Sequence, residues 1–396
     1  MNAAPAPVAA DDETYWAAIR AQYAVAPDVI NLENGFFGVQ PIPVLRAFAR
    51  HNELVNWEGS YFMRVRYPGR LARVVDALAA FAGVASDELL ITRNLTEGFN
   101  ILLQGYAFRA GDAVLLARHD YDSVVDTLAM LRARKAIELR EVALPLDPAS
   151  DAQIVDLYEQ AITARTRVLL VTHLVHRSGQ IMPVAAIAAM ARRHGVDVMV
   201  DAAHSFAHLT YRIPDLGADF VCANLHKWLG APLGVGLLYI RRGRVADIAP
   251  LFGDVSHAVS DIARLGNFGT VPPAPILAIE DALAFHQHIG TANIEARLRY
   301  LTQYWLGQVR QLPRVRVMTP SDPRRSCAIA AFNIEGMAAA SVVERLLAQH
   351  RIFTVARTIG DEQAVRVTPH LYTTTAQLDL LVGAVRALAG APAVPR

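Results

Sequence analysis

The sequence predicts an α/β protein: a doubly wound, mostly parallel sheet in a large domain, followed by a smaller α+β C-terminal domain. Three observations predict it. Helical and strand patterns alternate from about residue 70 to 240. Several of the strand segments are apolar on both faces, as expected where helices cover both sides of a sheet. After about residue 275 the alternation gives way to two long helical patterns and then short strands.

Taken in order, LARVVDALAAFAG is an amphipathic helix stopped by Gly83. DELLITRN is a short apolar strand with a polar exit, and Thr96 to Phe108 is helical. DAVLLA is a strand and SVVDTLAMLRAR a helix. RVLLVTH is a fully apolar strand, and PVAAIAAMARRHG is a helix with Pro183 at its start and Gly195 past its end. VDVMVDAA, ADFVCAN and GVGLLYIRR are three further strands. Right-handed crossovers wind such strands into one sheet, whose ligands bind at the strands' carboxyl ends. PILAIEDALAFHQHIG and ANIEARLRYLTQYWLGQV open the smaller domain, which contains a helix at SVVERLLAQH and a last one from Thr375. The Pro-rich VPPAP is the best boundary. The expected division is 1–30 as an N-terminal tail and packing segment, 31–275 as the large domain and 276–396 as the small one.

Composition narrows the function. With 53% hydrophobic and 19% charged residues the chain buries a large core. A net charge of +1 gives no electrostatic case for nucleic acid or an anionic membrane. No run of about 18 apolar residues suits a membrane span. The N-terminus, MNAAPAPVAADDETYW, lacks the basic and apolar regions of a signal peptide and reads as a frayed tail. Two cysteines, Cys222 and Cys327, make no disulfide framework, so a reduced, cytoplasmic chain is expected.

The chemistry concentrates in DAAHSFAHL and ADFVCANLHKWLG. Asp201 ends one strand, and Lys227 follows it by 26 residues, about one strand–helix–strand step. Both side chains are expected at one edge of the sheet. Pyridoxal 5′-phosphate (PLP) requires such a pair. A lysine forms the Schiff base and later moves protons. A carboxylate keeps the pyridinium nitrogen protonated so that the ring accepts electrons. Read singly, Asp201 is a helix cap and Lys227 a surface lysine. His204 and His208 stand four apart, but no third ligand accompanies them, so no metal site is expected.

These residues resemble fold-type I PLP enzymes of the class V aminotransferase family. The resemblance runs from NLENGFFG near residue 31 to VRVTPHLYTT near 366. ANLHKW with the following Pro-x-Gly-x-Gly is most similar to the isopenicillin N epimerase-like branch. The resemblance implies PLP on Lys227, Asp201 at the ring nitrogen and His204 near the phenolic oxygen. At TRNLTEGFN it implies phosphate contacts from the Leu95 N–H and the Thr96 hydroxyl, with Asn224 and His226 approaching from the lysine side. A strand, cap and helix alone read equally as an ordinary N-cap. In RHDYDSVVD the ring-stacking position falls on Asp120, which cannot stack, so Tyr121 is the choice and His119 the runner-up. Arg366 is implied to bind the substrate carboxylate, and Asn34 of NLENGFFG, His176 and Arg177 are further substrate candidates. Arg177 reads as well as a plain loop arginine. Thr270, otherwise a turn threonine, is implied to reach the phosphate of a partner subunit, making a homodimer with shared sites.

The reaction expected is proton transfer at the α-carbon of an amino acid, as in an epimerase or racemase. An aminotransferase and a C–S lyase or cysteine desulfurase are the alternatives. A desulfurase requires a mobile thiol near the carboxylate-binding arginine, and FTVARTIGDEQAVR has none. The Gly-rich GAPLGVG precedes a strand instead of following one, which disfavours a dinucleotide-dependent oxidoreductase. Loss of catalysis is disfavoured because lysine, aspartate and threonine are all present.

Overall fold

The computed structural model describes residues 5–390. After a two-residue strand, β1 (Ile30–Asn31), the chain builds a seven-stranded sheet. Its strands are β2 (Leu89–Thr92), β3 (Ala113–Ala117), β4 (Glu138–Val142), β5 (Thr166–Thr172), β6 (Asp197–Asp201), β7 (Phe220–Asn224) and β8 (Gly236–Ile240). Their order is β2-β8-β7-β6-β5-β3-β4. All neighbours pair in parallel except at β8, which is antiparallel to both β2 and β7.

The apolar runs make this sheet a two-sided core. Leu115, Leu169, Val171, Val198 and Val200 enter one hydrophobic layer. Val114, Leu116, Val168, Leu170 and Met199 enter the other. Each fully buried side chain of this size contributes about 1.5–3 kcal/mol. Helices Tyr67–Ala82 and Val184–Arg193 supply the first layer, and Leu95–Gly105 and Asp122–Lys135 the second. Strand β4 carries Glu138, Arg140 and Glu141 at the sheet's edge, where charge discourages further strand pairing.

The small domain holds β9 (Val315–Val317), β10 (Ala330–Ile334), β11 (Ile352–Phe353), β12 (Val355–Ile359) and β13 (Glu362–Val367). Four of these form an antiparallel sheet, β12-β13-β10-β9, while β11 pairs in parallel with β1. Helices Thr291–Val309, Ala339–His350 and Thr375–Leu388 cover the sheet around Trp305, Phe332, Leu346 and Leu381. Helix Pro273–Ile289 packs on Ile42–Glu58 and Tyr67–Ala82, whereas Thr291–Val309 packs on Thr375–Leu388.

Two expectations are corrected. From residue 5 onward the N-terminal segment is not frayed. Asn293 accepts from the Val8 N–H at 3.0 Å and donates to Ala6 O at 3.0 Å. Arg297 donates to Ala10 O and Glu13, and Trp16 of helix Glu13–Arg20 is buried against it. Residues 1–4 lie outside the described residues. The second correction concerns the step from Asp201 to Lys227, which contains turns and one short 3₁₀ segment, Ile213–Leu216, but no α-helix.

Candidate active site

Three strands end at the site. In register, Asp201 of β6 lies beside Thr172 of β5 and Cys222 of β7. Lys227 follows β7 by three residues. Only two lysines occur in the whole chain, Lys135 and Lys227. Lys135 donates to Gln104 O and Tyr106 O at a surface helix end, whereas the Lys227 amine points inward. The NLENGFFG segment lies directly over the lysine backbone. The Gly38 N–H donates to His226 O at 2.9 Å, and a Cβ at Gly38 would lie 2.1 Å from Lys227 O. Only glycine allows this approach.

The Lys227 Nζ lies 2.8 Å from His204 Nε2, and the Trp228 indole N–H donates to His204 Nδ1 at 3.3 Å. Burial pushes the Lys227 ammonium well below its usual value, and the Asp201 charge opposes that shift. Burial pushes the Asp201 carboxyl upward, opposed by its bond from the Ala203 N–H (2.9 Å) and by Lys227. Burial and then Lys227 push His204 well down, so its ring is neutral. Buried groups with shifted acidity around one amine are characteristic of a reactive centre.

At the phosphate end, Asn94 caps helix Leu95–Gly105 through the Glu97 N–H. The expected Leu95 donor is already engaged, since its N–H bonds to Asn224 Oδ1 at 2.8 Å. Asn224 thus braces the helix start. Thr96 is half-buried, and its N–H and hydroxyl have no partner among the described residues. The His226 Nδ1–H faces Val235 O at 2.9 Å, and burial lowers its pKa to about 4. Its Nε2 therefore bears no proton in the neutral ring and donates only if the ring is charged.

Opposite these lies the β3 loop. Asp120 is buried and accepts from the N–H groups of Ala117 (2.7 Å) and Thr172 (3.2 Å) and from the Thr172 hydroxyl (2.6 Å). It ties β3 to β5, which explains a carboxylate where a stacking ring was expected. Tyr121 lies edge-on to His176, 5.5 Å between centroids, while His119 is lowered to about 4 by burial and its Nε2 has no partner. Arg177 donates from Nε to His176 Nε2 at 3.1 Å, binds Thr358 O at 3.1 Å and pairs with Asp122. It therefore braces the large domain against the small one. Because the arginine only donates, neutral His176 carries its proton on Nδ1, which is buried without a partner.

Arg366 on β13 is present and buried, but it is not free. It pairs with Glu33 and donates from Nη1 to His176 O at 2.8 Å. Its Nε alone has no partner. Asn34, expected at the substrate, instead donates to Thr368 O at 2.7 Å and accepts from the Tyr372 hydroxyl. It stitches the N-terminal segment to the small domain. Thr270 is exposed. Glu33 also walls a cavity of about 560 Å³, lined by Val25, Phe36, Phe37, Phe353 and Val355 and by one cation, Arg357. Arg357 has no acidic partner among the described residues. Glu33 and Arg357 carry no sequence signal, since their roles depend on neighbours far along the chain; Trp228 stands in ANLHKW, but the motif does not show its bond to His204.

A buried lysine amine, a buried carboxylate at the end of the neighbouring strand and an open helix N-terminus define a PLP enzyme of fold type I. The chain belongs to the class V aminotransferase family, whose model matches residues 66–381. Isopenicillin N epimerase of Streptomyces clavuligerus is 27% identical over 392 residues, covering 95% of this chain and 98% of its own. A probable cysteine desulfurase of Methanothermobacter thermautotrophicus is 26% identical over 398 residues, covering 94% and 98%. In structure, the apo cysteine desulfurase of Thermococcus onnurineus matches with a TM-score of 0.85 at 20% identity, over 94% of this chain and 98% of its own. The cystine C–S lyase C-DES, in complex with cysteine persulfide, matches at 0.82 and 24%, over 91% and 98%. These two likenesses concern the fold.

PLP is the cofactor of this family, and the residues fit it. The partnerless Thr96 donors at a helix start suit a phosphate, and a depressed lysine suits an aldehyde carbon. Bound there, PLP supplies an electron sink for the pair left on a substrate α-carbon.

Proposed function

We propose that the enzyme moves a proton reversibly at the α-carbon of an amino acid, as an epimerase or racemase of the isopenicillin N epimerase-like kind. Lys227 holds the cofactor covalently and then serves as base and acid on one face. Asp201 holds the ring nitrogen, His204 the phenolic oxygen and Thr96 the phosphate. The observation that carries the reaction is the supply of proton carriers without a usable thiol. Burial lowers the Lys227 ammonium toward the amine, and the Tyr121 hydroxyl, on a ring edge-on to His176, is the candidate carrier for the second face. Both cysteines are fully buried, and burial pushes both thiols up. A persulfide requires an accessible thiolate.

The largely apolar cavity walled by Glu33, the partner of Arg366, favours a substrate with a bulky apolar side chain. Arg366 receives the substrate carboxylate through its free Nε. The exposed strip of Trp57, Tyr61 and Val65, with exposed Thr270, supports a homodimer with shared sites. Unpaired thiols fit a cytoplasmic enzyme.

Incubation of the PLP-loaded enzyme with L- and D-amino acids in deuterated water tests the reaction. Deuterium at Cα with inversion is expected, fastest for large apolar side chains. A keto acid, or alanine with sulfide from cysteine, in place of inversion would replace this reading with aminotransfer or desulfuration.

A further inference from the structure

Lys227 lies beside an imidazole whose proton is decided elsewhere. A neutral ring has one N–H. Trp228 can only donate, so His204 Nδ1 is an acceptor and the ring proton sits on Nε2. That N–H faces Lys227 Nζ at 2.8 Å. Two donors cannot share one hydrogen bond, so the lysine nitrogen accepts with its lone pair. We propose that Trp228 is a positioning residue that fixes the His204 proton on Nε2 and thereby keeps Lys227 as an amine, ready to attack.

The indole is built to hold this aim. It packs against His208 at 3.9 Å between centroids and stacks on His370 at 5.6 Å and 13°. His208 is itself locked, with Nδ1–H on His204 O at 2.8 Å and Nε2 accepting from the Ala328 N–H at 3.1 Å. Trp228 is 5% exposed, so water offers little alternative partner. The charged groups that face Lys227 divide: Asp201 and Glu33 favour the ammonium, Arg366 and Arg357 oppose it. His204 faces Lys227, Arg366, His176 and His208. Burial already disfavours the ammonium, and the orientation of the one ring proton at 2.8 Å adds to it or opposes it. Without the indole donor the proton is free to move to Nδ1, and Nε2 then accepts from an ammonium.

The inference rests on the reading of Lys227 as the cofactor lysine, but its test requires no cofactor. Apoprotein labelled with ¹³C at lysine Cε gives two resonances, Lys227 and the control Lys135. In Trp228→Phe the titration midpoint of Lys227 is expected to rise by about one pH unit, tenfold in proton affinity, the scale of one exchanged hydrogen bond. In His204→Gln the amide can turn its oxygen to Trp228 and its NH₂ to Lys227, so the midpoint stays near the wild-type value. An unchanged midpoint in Trp228→Phe, with Lys135 and the circular dichroism native, overturns the proposal, as does an equal rise in His204→Gln. If Trp228→Phe does not fold, the imidazole ¹⁵N shifts of the wild type decide. A protonated Nε2 on His204 supports the proposal, and a protonated Nδ1 overturns it.

Discussion

Replacing Arg366 by alanine removes two things at once, and the structure separates them. The Arg366 and Glu33 side chains are 2% and 5% exposed, so deleting the arginine leaves a buried carboxylate without its partner. That costs about 3–5 kcal/mol. His176 O also loses a donor, for about a further 1–3 kcal/mol. Removing Glu33 in the same chain abolishes the uncompensated charge. Arg366→Ala/Glu33→Ala should therefore be more stable than the sum of the two single variants by about 2–3 kcal/mol, the upper range for residues in direct contact. Substrate binding behaves otherwise. With Arg366 as the proposed carboxylate anchor, both variants lacking it should bind amino acid more weakly by about 2–5 kcal/mol, while PLP absorbance stays. Urea unfolding of the PLP-loaded enzyme measures the first quantity, and amino-acid titration followed by the cofactor spectrum measures the second. Additive stability losses would refute the buried pair, and restored amino-acid binding in the double variant would refute the anchor.

Three further outcomes follow from the site. Asp201→Asn removes the charge that opposes the effect of burial on Lys227, so the lysine midpoint should fall further below its usual value; lysine ¹³C titration reads this, and a rise would contradict the assignment. Cys222 and Cys327 should resist iodoacetamide in the native enzyme near neutral pH and react after urea unfolding, as mass spectrometry would show. Asp120→Ala leaves three donors at the β3–β5 junction unsatisfied, so urea unfolding should show a loss of about 3 kcal/mol or more, even though Tyr121 and His119 are untouched.

Much of the large domain was legible because its signal is local. RVLLVTH and DAVLLA are apolar on both faces, and that is what central strands of a covered sheet require. Asp201 and Lys227 stood out as a pair, a carboxylate ending one apolar strand and a lysine just past the next, 26 residues on. Strand β4 was illegible, since ELREV carries the charges that guard a sheet edge and hide the apolar period. The order of the N-terminal segment depends on Asn293 and Arg297, more than 280 residues away. For the same reason the sequence names Arg366 but not its partner Glu33, 333 residues apart. Leu95 read as a free donor because the acceptor, Asn224, lies 129 residues on. The Trp228–His204 contact, 24 residues long in sequence, depends on a turn-rich crossover that no periodicity describes.

The central claim is that Lys227 is the residue that holds PLP. With only two lysines in the chain, one experiment reads it cleanly. The purified protein is loaded with PLP, reduced with borohydride, digested and analysed by mass spectrometry. The account predicts one reduced cofactor per chain, attached to Lys227 and absent from Lys227→Ala. No attachment at all, or attachment at Lys135, would contradict it.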